Sequence, residues 1–520
     1  MSGFPSETPP VGGAAAATTG EAVLRGGLWS VAVRFVPQLY VLAVSIAAAR
    51  FLGPEDFGRQ SFIAFVELSV IALLTGGLAN AIVRHVADSV GRDRTEAVRR
   101  LFTWAWRLEL AGAAVGGGAV LAVGLLGAEP RSAWIVAAVA TSLGVLHAVP
   151  NAVLLGIQRW RDASVVGLVT GAAGTLATIS VLAAGGGITG MFVVEAVVSA
   201  GNLFWTSWLM RRALAATMPV RRLAGGEWVD LRRRATGFAL LASYGVILTL
   251  VLWRRSEFFF LERYSTETEL ALYSVVFAVT AALMRFPEAL AAVALPAVAT
   301  LSGAGELDRI RSGFGRGTRL MTIVALPLTA AVLALGPLLL LLIYGEDFRG
   351  TGPVLLIMVA IFPLVPLLHL GGSVLSGLGL LRVQLLAETG AAALNIGLAF
   401  ALVPAHGAVG AAIANVAGQG TAAALVFVYA LRVIGPLELR LVSLAPTVVS
   451  SAVAGFAAWL AANAVGGAPG LLLGFVAGTL VFGTLSAALR IVPADDAAWL
   501  DQAAGPRLGG FVGWVCRRFA

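Results

Sequence analysis

Long apolar runs, each about the length of a bilayer crossing, alternate with short polar gaps from residue 28 to residue 489. A hydrocarbon core takes roughly 20 apolar residues per helix. Only helices and closed barrels satisfy every backbone group there, and runs this long and continuous are helical. The pattern predicts about fourteen spans, at 28–50, 57–83, 102–127, 133–155, 163–183, 188–210, 236–258, 269–301, 319–344, 351–375, 384–403, 408–431, 444–465 and 471–489. The expected fold class is all-α and polytopic: two six-helix lobes plus two additional C-terminal helices. An even count places both termini on one side.

Basic residues test that count. The chain contains no lysine, so all 36 basic side chains are arginine. They gather in every second gap: Arg84 to Arg100, Arg211 to Arg234, and Arg309 to Arg319. The alternate gaps are short and neutral or acidic, as at Pro54-Glu55-Asp56, Glu129-Pro130 and Gly345-Glu346-Asp347. By the positive-inside rule the arginine-rich gaps and both termini are expected in the cytoplasm, in a cell (plasma or inner) membrane.

Composition agrees, with 58% hydrophobic and 12% charged residues and a mean hydropathy of +0.89. A soluble domain is about one-quarter charged. The net charge of +8 comes from arginines that orient the chain and face anionic headgroups; no loop carries a nucleic-acid motif. One cysteine, Cys516, leaves no internal disulfide or multi-cysteine metal site. Histidines 85, 147, 369 and 406 lack ligand spacing. There is no Walker A, GxGxxG or HExxH pattern, so neither a metal nor a cofactor is expected.

Residues 1–27 read as a disordered cytoplasmic leader, and 491–520 as a cytoplasmic or interfacial tail. The arginine-rich gap 211–234 divides an N-lobe, 28–231, from a C-lobe, 232–435, with residues 436–490 supplying the last two helices. Two six-helix halves with a cavity between them form a common transporter plan.

Charges inside the spans need partners or a wet cavity, because each costs about 2.5–3.5 kcal/mol at mid-bilayer on insertion scales. Arg34 lies roughly 9 Å into the first span and Arg285 roughly 24 Å into the eighth. Glu288 sits one turn from Arg285, an internal ion pair as readily as a pair of ligand contacts. Arg254 and Arg255 fall where interface anchoring is also expected. Glu67, roughly 15 Å into the second span, is a candidate partner for Arg34 or carrier of a coupling proton. Asn151, Asn395, Asn415 and Gln419 either glue helices together or bind sugars.

Several stretches, in order along the chain, resemble one family. They are Ala49-Arg-Phe-Leu-Gly-Pro-Glu-Asp-Phe-Gly58, Trp253-Arg-Arg-Ser-Glu-Phe-Phe-Phe-Leu261, Ala271-Leu-Tyr-Ser274, Ile343-Tyr-Gly-Glu-Asp-Phe348, Gly352-Pro-Val-Leu-Leu356, and Asn395 followed by Val403 to Ala414. Over residues 27–433 the chain is similar to the polysaccharide transporter (oligosaccharide or O-antigen flippase-like) branch of the multidrug/oligosaccharidyl-lipid/polysaccharide exporter superfamily. Glu257 stands where that family often has Asp.

The resemblance implies a flippase, not an enzyme, that moves polyprenyl-diphosphate-linked oligosaccharide for cell-surface polysaccharide biosynthesis by alternating access. The implied partners are that lipid-linked glycan, the bilayer, and polysaccharide polymerase or glycosyltransferase machinery. Because the guanidinium fork suits phosphate oxygens, Arg34, Arg285, Arg254 and Arg255 become the expected diphosphate contacts. Glu67, Glu257 and Glu288 become the expected coupling groups or charge partners. Rival readings are a lipid II-type flippase, a cation-coupled drug exporter of the same fold, and a membrane-embedded glycosyltransferase or polymerase.

Overall fold

The computed structural model describes residues 14–92, 94–217, 225–253, 256–436 and 444–503. Among them the chain is helical, without a strand: α1 (Ala14–Gly91), α2 (Thr95–Leu125), α3 (Arg131–Gly156), α4 (Trp160–Ala183), α5 (Gly187–Thr217) and α6 (Gly225–Trp253) come first. The short α7 (Glu257–Tyr264) leads into α8 (Glu267–Gly303), α9 (Leu307–Tyr344), α10 (Thr351–Ala360), α11 (Val365–Gly377) and α12 (Leu381–Ile434). Then come α13 (Ala445–Val465), α14 (Gly467–Leu489) and α15 (Ala494–Ala503).

Twelve of the described helical stretches are long and apolar enough to cross a membrane. The chain is a multi-pass membrane protein. Two of those stretches, Val36–Gly91 and Leu381–Ile434, run for 56 and 54 residues, more than a bilayer needs. Each contains one sharp break, at Gly53 (φ 77°) and at Gly407 (φ 52°). A positive φ is costly for any residue with a Cβ, so glycine marks both turns. The expectation of fourteen crossings requires both broken helices to cross twice.

Two expected spans are interrupted. The span at 236–258 ends as α6 at Trp253, and Glu257 opens the separate helix α7. The span at 351–375 is split by a 3-10 turn over Phe362–Leu364, where Pro363 and Pro366 remove two backbone donors.

Helices α2 to α5 pack on one another and on α1, whereas α6 to α12 pack among themselves. The α13–α14 pair lies on α9. The extensive contacts between the two groups run through α1, which meets α6 on one side and α8 on another. Small residues allow the first meeting. A Cβ at Gly77 would collide with the Ser243 hydroxyl and the Ala239 carbonyl, and one at Gly76 with Val246. Close backbone approach of this kind stabilises helix pairs where lipid removes the usual hydrophobic drive. Large apolar side chains such as Phe204, Leu472 and Phe475 are left exposed on the outside of the bundle, as a lipid-facing surface requires.

The apolar core nearest the break at Gly53 joins the two groups. Ala48, Ala49, Phe57 and Phe65 of α1 pack with Phe258 and Leu261 of α7, Tyr273 of α8, and Tyr344 and Phe348. Hereafter the end of the bundle carrying Gly53, Glu267 and Gly345 is called the acidic end, and the opposite end the arginine-rich end.

Candidate functional site

A cavity of about 540 Å³ opens between α1, α4, α5 and α8. Its lining on α4 runs from Thr170 to Thr178, on α5 from Met191 to Val198 and on α8 from Ser274 to Ala281. Both α5 and α8 begin at the acidic end, so the cavity lies in that half of the bundle, roughly 10–20 Å from the turns. From α1 come the amides of Gln38 and Gln60, and among the described residues neither has a hydrogen-bond partner. Hydroxyls of Ser45, Thr175 and Thr178 and the rings of Phe57, Phe65 and Phe277 complete the wall. The space is amphipathic: neutral hydrogen-bonding groups set among aromatic faces.

Glu195 of α5 is the one charged side chain among the described lining residues. It acts electrostatically on Glu67 of α1. Glu67 is 3% exposed, and its Oε2 has no hydrogen-bond partner. The charged group that acts on Glu67 among the described residues is thus a second carboxyl.

Above the cavity, polar contacts tie α1 to α8 and α9 at the acidic end. Arg50 donates from Nε to the Ile343 carbonyl at 2.7 Å and from Nη2 to Leu342 at 2.6 Å, capping the last turn of α9. Those carbonyls have no intrahelical partner, so a guanidinium is well placed there. Arg59 pairs with Glu55 at 2.6 Å and faces Glu267 of α8 at 3.7 Å. A serine pair, Ser274 to Ser61 at 2.9 Å, bridges α8 to α1 at the cavity roof.

Glu257, at the start of α7, lies in a separate buried network. It is fully buried and accepts hydrogen bonds from Asn395 Nδ2 at 2.7 Å, Asn415 Nδ2 at 3.0 Å and the Tyr273 hydroxyl at 3.0 Å. Gln419 extends the network, donating to the Asn415 side-chain oxygen at 2.9 Å and to the Leu252 carbonyl at 3.2 Å. Three donors on one carboxylate satisfy most of its acceptor capacity. Asn395, Asn415 and Gln419 therefore join α6, α7, α8 and α12, and do not face the cavity.

Among the other expected site residues, Arg254 and Arg255 lie outside the described residues, and the side chains of Arg34 and Arg285 are likewise outside them. Glu288 is exposed on α8 and acts electrostatically on His369 of α11. Sequence reasoning passed over Gln38, Gln60 and the α4 threonines. Their signal was available: polar side chains recurring on one face of otherwise apolar helices. No group of three or more possible metal ligands exists among the described residues.

Residues 47–353, more than half of the chain, match the sequence profile of a family described as polysaccharide biosynthesis protein. The chain belongs to that family. Solved structures place the fold of this polysaccharide biosynthesis protein. An inward-facing multidrug-resistance MATE transporter of the MOP superfamily superposes with a TM-score of 0.65 at 18% identity, covering 76% of this chain and 94% of that one. Lipid II flippase MurJ in an inward closed conformation gives 0.66 at 12% identity, covering 89% and 98%. A MATE transporter in a straight conformation gives 0.55 at 18%, covering 77% and 93%. At such identities the likeness establishes a shared fold. No curated protein matches the chain at the level of sequence.

Proposed function

We propose that this protein is a flippase for polyprenyl-diphosphate-linked glycan, exposing its cavity to the two leaflets in turn. The observation that carries the reading is the polar, aromatic-lined cavity beneath an acidic end tied by polar contacts, in a chain of the polysaccharide biosynthesis family. With that end shut, loading proceeds from the arginine-rich side, which the positive-inside rule puts in the cytoplasm of the cell membrane. The sugars occupy the cavity while the polyprenyl tail stays in lipid.

Arg34 occupies the α1 position one helical turn before Gln38, toward the arginine-rich end. It is our first candidate for the diphosphate, with Arg285, Arg254 and Arg255 as further candidates. Movement of the α2–α5 group against the α6–α12 group breaks the Arg50, Arg59 and Ser61 contacts and opens the acidic end. Glu67, beside Glu195, is the candidate coupling group. Glu257 and Glu288 serve as polar and charge partners inside the second group.

Deleting the gene and analysing lipid-linked sugars by leaflet tests the reading. Accumulation of one polyprenyl-diphosphate glycan on the inner leaflet is the expected result. Unchanged lipid-linked sugars, or loss of drug efflux in their place, would count decisively against it.

A further inference from the structure

The wall of the cavity carries information about the sugars themselves. Its described polar groups are amides and hydroxyls, apart from one carboxyl, Glu195. Amides such as those of Gln38 and Gln60 pair with sugar hydroxyls as donor and acceptor at once. Phe57, Phe65 and Phe277, buried in the adjoining core, make that part of the wall apolar. None of these groups discriminates by charge.

Glu195 does. It is exposed and lines the cavity, and it acts electrostatically on Glu67 of α1, which is 3% exposed and whose Oε2 has no hydrogen-bond partner among the described residues. Repulsion between the two carboxyls favours a state in which they share one proton and carry one charge between them. The low-dielectric surroundings strengthen the field that a single charge projects into the cavity. A ligand carboxylate brought into this space meets a like charge, with no described basic side chain on the wall to offset it.

We infer that the cavity selects neutral sugars over acidic ones, and that Glu195 is the specificity-determining residue. The inference rests on the flippase reading. It separates two charges along the passage: the diphosphate is held near the arginine-rich end, and the glycan beside Glu195 is uncharged. Uronate-bearing or pyruvylated repeats are turned away by the repulsive element, a discrimination built against the wrong ligand rather than for the right one.

Purified protein in liposomes, given two probes, tests this. Both probes are farnesyl-diphosphate-linked fluorescent disaccharides, identical except that the terminal sugar is glucose in one and glucuronate in the other. Wild-type protein should translocate the glucose probe at least tenfold faster. Glu195→Gln should bring the ratio to within about threefold, whereas Glu67→Gln, which leaves the Glu195 charge without a competing carboxyl, and Glu195→Asp should both preserve it. Because the readout is a ratio within one preparation, a partly unfolded variant does not mimic the result. Equal rates in wild type, a preference for glucuronate, or an unchanged ratio in Glu195→Gln overturns the selectivity while leaving the flippase reading intact. Movement of neither probe overturns both.

Discussion

Asn395 donates its side-chain amide to Glu257 Oε1 at 2.7 Å across 138 residues of sequence. That bond ties the first arm of α12 to the start of α7, and Asn415 repeats the tie from the second arm. The helices around the α12 break are thereby held to one carboxylate, which is fully buried. In a bilayer the alternative to such a bond is an unsatisfied group in an apolar setting.

Replacing Glu257 by Ala leaves three buried donors without their acceptor. Each orphaned group costs about 1–3 kcal/mol, so Glu257→Ala should lower the unfolding temperature in detergent sharply. Glu257→Gln keeps one acceptor oxygen and should be clearly milder. Thermal unfolding of the two variants side by side decides it, and equal losses would deny the hub.

Arg50 ties α1 to α9 at the acidic end by capping α9. Arg50→Ala should loosen that end without changing the amount of protein inserted. In a Cys516→Ser background, a cysteine introduced at Gln60 should react several-fold faster with a membrane-impermeant maleimide added on that side. An unchanged labelling rate would show that Arg50 caps a helix and does not hold a gate.

Gly77 lets α1 and α6 meet at backbone distance. Gly77→Val inserts a branched side chain against the Ser243 hydroxyl and the Ala239 carbonyl, overpacking that costs typically 1–3 kcal/mol. Loss of thermal stability is expected at Gly77, while Gly118→Val, where a Cβ meets nothing within 4 Å, should be tolerated.

Asp496 of α15 is fully buried and accepts from Arg319 at 2.6 and 2.8 Å and from Arg316 at 3.0 Å. Ile491, Val492 and Ala497 pack beside it on Ile323 of α9. The first part of the segment after the last span is therefore docked on α9, as far as Ala497; residues 504–520 of the expected tail lie outside the described residues. Asp496→Ala removes the buried carboxylate that Arg319 and Arg316 both engage, and breaking a fully buried ion pair costs about 3–5 kcal/mol, an upper bound for these half-buried arginines. Faster trypsin cleavage after Arg490 is the expected readout. A cleavage rate equal to wild type would mean that α15 is held by its apolar contacts alone.

Much of the architecture was legible from residue order. Span positions follow from apolar run length against a fixed bilayer thickness, and the Gly53-Pro54 and Gly407 turns follow from the conformational freedom of glycine. Both are local properties. The arginine alternation could be read for the same reason, since it depends only on which gap a residue occupies. The breaks before Glu257 and at Phe362 were less visible, because proline and charge inside an apolar run are compatible with a continuous helix until neighbours are known.

What the chain by itself determined is the all-helical, membrane-spanning character and the polarity of its ends, because hydrophobic length and charge placement act residue by residue. Tertiary structure decided which polar groups meet. Glu67 finds Glu195 rather than a described arginine, Glu257 finds two asparagines 138 and 158 residues away, and Asp496 finds arginines 177 and 180 residues back. A buried polar atom takes whichever partner packing brings within about 3 Å. In a bundle of near-parallel helices, that choice belongs to the helix arrangement and not to spacing along the chain.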